Sequence, residues 1–174
     1  TPQAISEEEE VARVKKLMEK GNGDAFNLIA GYYAQGILGM SQDQAKANEL
    51  YLKAGELGCD KAYFNLGNSY IVGNGVEIDK KKAKHYWELA VMNGSIKARH
   101  NLGATEYNNG NYDRAYKHLV LAARAGYTKS LDLVKHGFMN GHVTKEEYAK
   151  TLREYQKSQD EMKSDARDKA LESL

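Results

Sequence analysis

Apolar and small residues recur along this chain at helical spacing, and they do so in paired blocks. Gly21, Gly58, Gly94 and Gly126 stand 37, 36 and 32 residues apart, and each is followed four residues later by Ala25, Ala62, Ala98 or Ser130. Further into each block an apolar residue returns (Ile29, Leu66, Leu102, Val134), with Ala30, Gly67 and Gly103 directly behind the first three and Tyr33 and Tyr70 four residues after the first two. The second half of each block matches as well: Ala47, Tyr51 and Ala54 correspond to Ala83, Trp87 and Ala90, and then to Ala115, Leu119 and Ala122. Both halves have helical period, and a repeat of this length is the signature of stacked helix pairs. The expected divisions are a capping helix within 1–23, three pairs at about 24–59, 60–95 and 96–128, and a degenerate pair with a long charged capping helix over 129–174.

The pattern carries its own packing scheme. A small residue at Ala30, Gly67 or Gly103 lets the facing helix approach closely, and a large side chain such as Tyr70 or Trp87 fills the space that remains. Tyr51, Trp87 and Leu119 share one repeat position, so Trp87 is expected to be buried beside them between stacked pairs. The glycine after each second helix suits a left-handed terminating residue. At the flanks, Ser6 with Glu9 and Thr144 with Glu147 read as capping boxes. The first opens a helix presenting Val11, Val14, Leu17 and Met18; the second opens one with the stripe Tyr148, Leu152, Tyr155, Gln159, Met162 and Ala166, whose first half should dock on the last pair.

Composition narrows the class. One Pro, at Pro2, against 16 Gly is the balance of an all-α chain, since helix interiors expel Pro. No window reaches the roughly 18 apolar residues of a membrane span, and a single Cys allows neither an internal disulfide nor a thiolate zinc module. The expected setting is therefore reducing, intracellular and cytoplasmic. The chain starts at Thr1, so a trimmed polypeptide is expected, and Thr1 to Glu10 lacks the basic and apolar regions of a secretory signal. Net charge is +1, but residues 1–79, 80–129 and 130–174 carry −5, +7 and −1.

The middle block carries a family resemblance. Ala62-Tyr63-Phe64-Asn65-Leu66-Gly67-Asn68-Ser69-Tyr70, Gly73-Asn74-Gly75-Val76 with Asp79, and Lys82-Ala83-Lys84-His85-Tyr86-Trp87-Glu88-Leu89-Ala90 with Asn93-Gly94 resemble a complete Sel-1-like repeat, a relative of the tetratricopeptide repeat. The first block departs at Gly36-Ile37-Leu38-Gly39-Met40-Ser41-Gln42-Asp43, one residue longer, and the third shortens its loop to the more tetratricopeptide-like Gly110-Asn111-Tyr112-Asp113. The resemblance implies an all-α, right-handed α-α superhelix, or solenoid, of tetratricopeptide-like helix pairs. It also implies a scaffold or adaptor role without enzymatic activity. Some extended relatives carry a RING-type zinc finger upstream, which points to the binding half of a larger ubiquitin-ligase-like protein; other, disulfide-linked relatives have been proposed as hydrolases.

In that geometry the first helix of each pair lines a concave groove for a protein or peptide partner. Counting from the packing positions, the groove stripe is expected to present Asn27, then Phe64, Asn68 and Ile71, then Lys97, His100 and Tyr107, then His136. Phe64, Ile71 and Tyr107 would be apolar anchors, with Asn68, Lys97 and His100 orienting the ligand; the alternative is that superhelix curvature buries Phe64 and Ile71 against the next unit. Asn65 and Lys97 fall near carboxylate-clamp positions, but the first block lacks the remaining residues of a clamp. Lys80, Lys81, Lys82 and Lys84 could face an acidic protein or RNA; with no interleaved aromatics a solvated helix surface is the plainer reading, and no nucleic acid or membrane partner is expected. The five His residues show no metal-binding spacing, and Cys59, beside Glu56 and Asp60, is expected to be inert. No cofactor is implied, and a monomer is expected.

Overall fold

A computed structural model describes residues 6–172; Pro2 and the outermost residues of the expected capping segments, 1–5 and 173–174, lie outside the described residues. Among the described residues there are nine helices and no strand: α1 (Glu7–Glu19), α2 (Gly23–Gln35), α3 (Gln44–Glu56), α4 (Asp60–Val72), α5 (Lys80–Met92), α6 (Ile96–Asn108), α7 (Tyr112–Arg124), α8 (Thr128–Met139) and α9 (Lys145–Glu172). They fall into two compact units, divided between Ser95 and Ile96. The all-α fold of repeated helix pairs is thus the one that the sequence pattern predicts.

Local chemistry sets the helix ends. Ser6 and Glu9 form the expected reciprocal capping box, and Asn22, Asp43 and Asp79 cap α2, α3 and α5 by accepting from backbone N–H groups of the first turn. Gly58, after α3, has φ of 89°, the left-handed conformation that a Cβ would strain.

In the first unit α2 pairs with α3 and α4 with α5, while α4 also packs on α3. The core combines Ala30, Ala47, Tyr51, Ala54, Cys59, Ala62 and Leu66 with partly buried aromatics from both pairs. A second cluster of Val14, Ala25, Ile29 and Tyr32 docks α1 on α2, and the Tyr32 hydroxyl donates to Glu10 Oε1 at 2.7 Å. Burial and that contact with Glu10 push the Tyr32 phenol up to about 12.

The glycine niches have the expected form. A Cβ on Gly67 would lie 2.5 Å from Trp87 Cδ1, and one on Gly103 would lie 2.7 Å from Leu119 Cγ. Trp87 is 5% exposed, and its Nε1 donates to Asn68 Oδ1 at 3.1 Å. Trp87 is buried as expected, and the structure places it in the niche of its own pair. Trp87 and Leu119 each fill a niche of their own pair, as the repeat rule demands of equivalent positions, and Tyr51 takes the same place in the first pair. Two further niches were not read from the sequence: Gly55 against the Tyr63 ring and Gly137 against the Tyr116 ring.

In the second unit α6 pairs with α7, and α8 and α9 both pack on α7. Tyr116, Leu119, Val120, Ala123, Val134 and Val143 form the core. The docking of α9 differs from the apolar stripe. Tyr148 stacks on Phe138, but Leu152 is 39% exposed, and the fully buried residue is Thr151. Ser158 Oγ donates to the Arg124 carbonyl at 2.6 Å and Gln159 Nε2 to the Gly126 carbonyl at 2.8 Å, so the seam supplies donors to the carbonyls that end α7. The Arg124 guanidinium meanwhile reaches Glu147 and Glu154. Thr144 accepts from the Glu147 N–H as expected, but the Glu147 carboxylate is used by Arg124. Beyond Ser164 the described side chains of α9 are exposed.

Candidate functional site

A helix in such a stack has its own partner and a neighbouring first helix to satisfy, and only what remains can face a ligand. In α4, Lys61, Asn65, Asn68 and Val72 share one face at spacings of 4, 3 and 4. Val72 is 66% exposed. The equivalent face of α2 is Asp24, Leu28, Gly31 and Gln35, with Leu28 43% exposed. In the second unit the corresponding positions are Lys97, Asn101, Ala104 and Asn108 on α6, and Lys129, Leu133, His136 and Asn140 on α8.

The expected groove stripe is thereby redistributed. Asn27 is partly buried and its Oδ1 accepts from Asn65 Nδ2 at 3.3 Å, bridging α2 to α4. His100, in the same repeat position, places Nδ1 2.9 Å from Ser130 Oγ on α8 and meets the Tyr127 ring edge-on at 5.0 Å. Both are seam residues between first helices. Phe64 occupies this position in α4 and is partly buried, as is Ile71. Tyr107 packs edge-on against Tyr112 and Tyr116 in the core of the second unit. Asn68 is engaged by Trp87. Lys97 and His136 are exposed, the latter within 3.1 Å of Asn140 Nδ2. The structure therefore joins Asn68 to an open face, turns Asn27 and His100 into the seam and puts Tyr107 in the core.

Burial, and then the charge of Lys129, holds the His100 imidazole below the ordinary histidine value of about 6.5. The fold favours neutral His100, so this stabilisation is fully present above the unfolded value and is lost as pH falls from there through the lower folded value. An NMR pH titration is expected to give a pKa that rises in Lys129→Gln yet stays below the ordinary value, because burial is the larger cause. A wild-type His100 titrating at or above 6.5 would contradict its seam placement.

The first unit contains a pocket of about 180 Å³ on the open face, lined by Ala34, Gln44, Tyr51, Asn65, Asn68, Ser69, Val72 and Asn74. Its walls follow from local geometry. Gln44 Nε2 donates to the Ala34 carbonyl at 2.7 Å, and the loop after α4 lies on the start of α3, with Asn48 Nδ2 donating to the Asn74 carbonyl at 2.8 Å. No lining side chain is charged. Tyr51 is 8% exposed, and burial raises its phenol, which stays protonated near neutral pH. Sequence reasoning missed Tyr51 and Gln44 because one reads as core and the other as a loop-edge residue. The usable signal was the repeat itself, since Tyr51 puts a hydroxyl where Leu119 has none.

Other candidates are local. Lys82 lies over the Tyr70 ring at 5.3 Å and Lys46 over Tyr33 at 4.6 Å, while Asp79 caps the helix bearing the lysine run. Cys59 is buried at the N-terminus of α4; burial first, then a hydrogen bond with Asp24, raises its thiol, so the relevant acid is Asp24 rather than Glu56 or Asp60. Among the described residues no three His, Cys, Asp or Glu side chains gather where a metal ion could sit, and no helix is long and apolar enough to cross a membrane.

The Sel1 repeat family model matches residues 27–59, 60–95 and 96–127, more than half of the chain and helix pair by helix pair. The chain belongs to the Sel1 repeat family. Among curated proteins, it is 38% identical over 101 residues to the ERAD-associated E3 ubiquitin-protein ligase component HRD3B of Arabidopsis thaliana, a match covering 56% of this chain and 15% of that protein. It is 36% identical over 63 residues to a putative sel1-like repeat-containing protein of Acanthamoeba polyphaga mimivirus, covering 36% of this chain and 12% of the other. Among solved structures, a Sel1 repeat protein from Oxalobacter formigenes matches with a TM-score of 0.73 at 24% identity, covering 86% of this chain and 64% of the other. A protective antigen of uropathogenic Escherichia coli strains displaying an SLR fold matches with a TM-score of 0.72 at 26% identity, covering 92% and 35%. The fold is that of the Sel1 repeat solenoids, and Sel1 repeat proteins are generally non-catalytic protein-interaction scaffolds.

Proposed function

We propose that this Sel1 repeat chain is a non-enzymatic adaptor that binds a partner protein along the open face of its first helices. The observation that carries the reading is the exposed Val72 beside an uncharged polar pocket, with Lys61 and Asn65 on the same face and Leu28 at the matching place in α2. An apolar anchor with polar neighbours is what a peptide-binding surface needs. In the second unit Lys97 and His136 are the corresponding contacts. The expected division into an N-terminal cap, three repeats and a C-terminal cap is part of this proposal, as are a monomeric state and an intracellular setting. The similarity to HRD3B supports a place in a ubiquitin-ligase-like assembly, where a scaffold of this kind would hold a partner while another component does the chemistry.

The test begins with proximity labelling and pull-down on the chain, then titration of the partner so identified. Val72→Glu is expected to weaken binding about tenfold, or about 1.4 kcal/mol, with helicity retained. Reversing Lys81 and Lys84 should change affinity severalfold less, through association rate and salt dependence. The opposite ranking would move the site to the lysine run of α5 and overturn the open-face reading.

A further inference from the structure

Tyr51 presents an unusual hydrogen-bonding problem. It is more than nine-tenths buried, it lines the pocket, and its hydroxyl has no hydrogen-bond partner among the described residues. The hydroxyl itself opens into the pocket, where an entering group can reach it. In the next repeat Trp87, 36 residues on, donates its Nε1 proton to the carboxamide oxygen of Asn68 on the facing helix. In the first repeat the place of Asn68, 37 residues earlier, is taken by Gly31. The Tyr51 hydroxyl comes within 4.0 Å of where a Cβ on Gly31 would stand. One repeat supplies its own carboxamide, and the other leaves the acceptor out.

The remaining lining groups specify what is missing. Gln44 spends Nε2 on the Ala34 carbonyl and Asn65 spends Nδ2 on Asn27, which fixes both amides with Gln44 Oε1 and Asn65 Oδ1 as the oxygens left to accept. Around Tyr51 the pocket thus offers one hydroxyl and two carbonyl acceptors, beside the Asn68 and Asn74 carboxamides and the Ser69 hydroxyl, which donates to the Asn65 carbonyl, with no charge in its lining. A carboxylate or ammonium would enter without a counter-ion, which is costly, and an aliphatic group would leave the hydroxyl unsatisfied. A primary amide matches: its oxygen accepts from Tyr51, and its two N–H groups donate to Asn65 and Gln44. The volume of about 180 Å³ equals roughly six waters at about 30 Å³ each, enough for one such side chain.

We propose that this pocket is a carboxamide site, receiving an Asn or Gln side chain of the bound partner in the place that Asn68 takes against Trp87. It rests on the reading that the open face of the first unit binds protein, and it adds the residue class that is recognised there.

The test uses the full chain and two small probes, N-acetyl-glutamine methylamide and its glutamate counterpart, followed by NMR shifts of the Asn65 and Gln44 side-chain amides. The glutamine probe is expected to give saturable millimolar binding, and the glutamate probe at least fivefold weaker binding. Tyr51→Phe, which removes only the hydroxyl, should weaken the glutamine probe threefold or more. Gly31→Asn places the chain's own carboxamide beside Tyr51 and should abolish binding; it substitutes a helical position with only ordinary contacts around the new Cβ. Equal binding of both probes, no binding of either, or an unchanged affinity in Tyr51→Phe would overturn the carboxamide site. The two readings fail separately: probe binding that follows this pattern, with partner binding indifferent to Val72→Glu, leaves the pocket standing and removes the open-face partner. The converse result keeps the partner and removes the pocket.

Discussion

Trp87→Ala is expected to lower the unfolding free energy by about 3–5 kcal/mol, the cost of emptying a large buried aromatic site. The indole is 5% exposed, its edge lies against Gly67, and its N–H satisfies Asn68. Removing it therefore opens a void and strips a partly buried carboxamide of its donor. Urea denaturation followed by circular dichroism checks this through the midpoint, with an unchanged slope identifying a stability effect. A midpoint equal to that of the wild type would mean that the indole is not the filler of its helix pair.

Gly67→Ala is expected to cost roughly 1–3 kcal/mol in the wild type, by overpacking. The added Cβ would stand 2.5 Å from Trp87 Cδ1, 2.6 Å from Nε1 and 3.0 Å from the Ala83 carbonyl, so the ring must move or the helices must separate. In a Trp87→Ala background most of that cost should vanish, because the ring is gone and Ala favours the helix by up to about 1 kcal/mol over Gly. A double-mutant cycle measures the difference as a coupling energy. Additive effects would show that Gly67 serves something other than the indole.

The close approach at Gly67 and Gly103 was legible because a small residue and a large one recur at fixed places in every block, and volume has to be conserved between facing helices. The open face was harder to read. Counting from Leu66 and Leu102 places Asn27 and His100 toward a groove; α2 also meets α4 and α6 meets α8, and there Asn27 accepts from Asn65 and His100 lies against Ser130. The helix α9 misled for a different reason. Hydrophobic patterning selects Leu152, whereas the end of α7 leaves carbonyls that need donors, and Ser158 and Gln159 lie on the face that can serve them, while the buried Thr151 hydroxyl accepts from Arg124 Nε. Tyr51 was invisible as a site because its composition is that of the core. Only the comparison of Gly31 with Asn68 in the folded repeat shows a hydroxyl left without a mate.

That polar seam sets what release of the C-terminal helix would cost. Where Ser158 and Gln159 let go of Arg124 and Gly126, water can take both sides of each hydrogen bond, and little greasy surface is uncovered beyond Met162. The distal part of α9 is therefore fastened more like a latch than like a layer of core: its release would exchange hydrogen bonds with water and uncover little apolar surface. The proximal turn, where Tyr148 lies on Phe138, is held by ring packing instead.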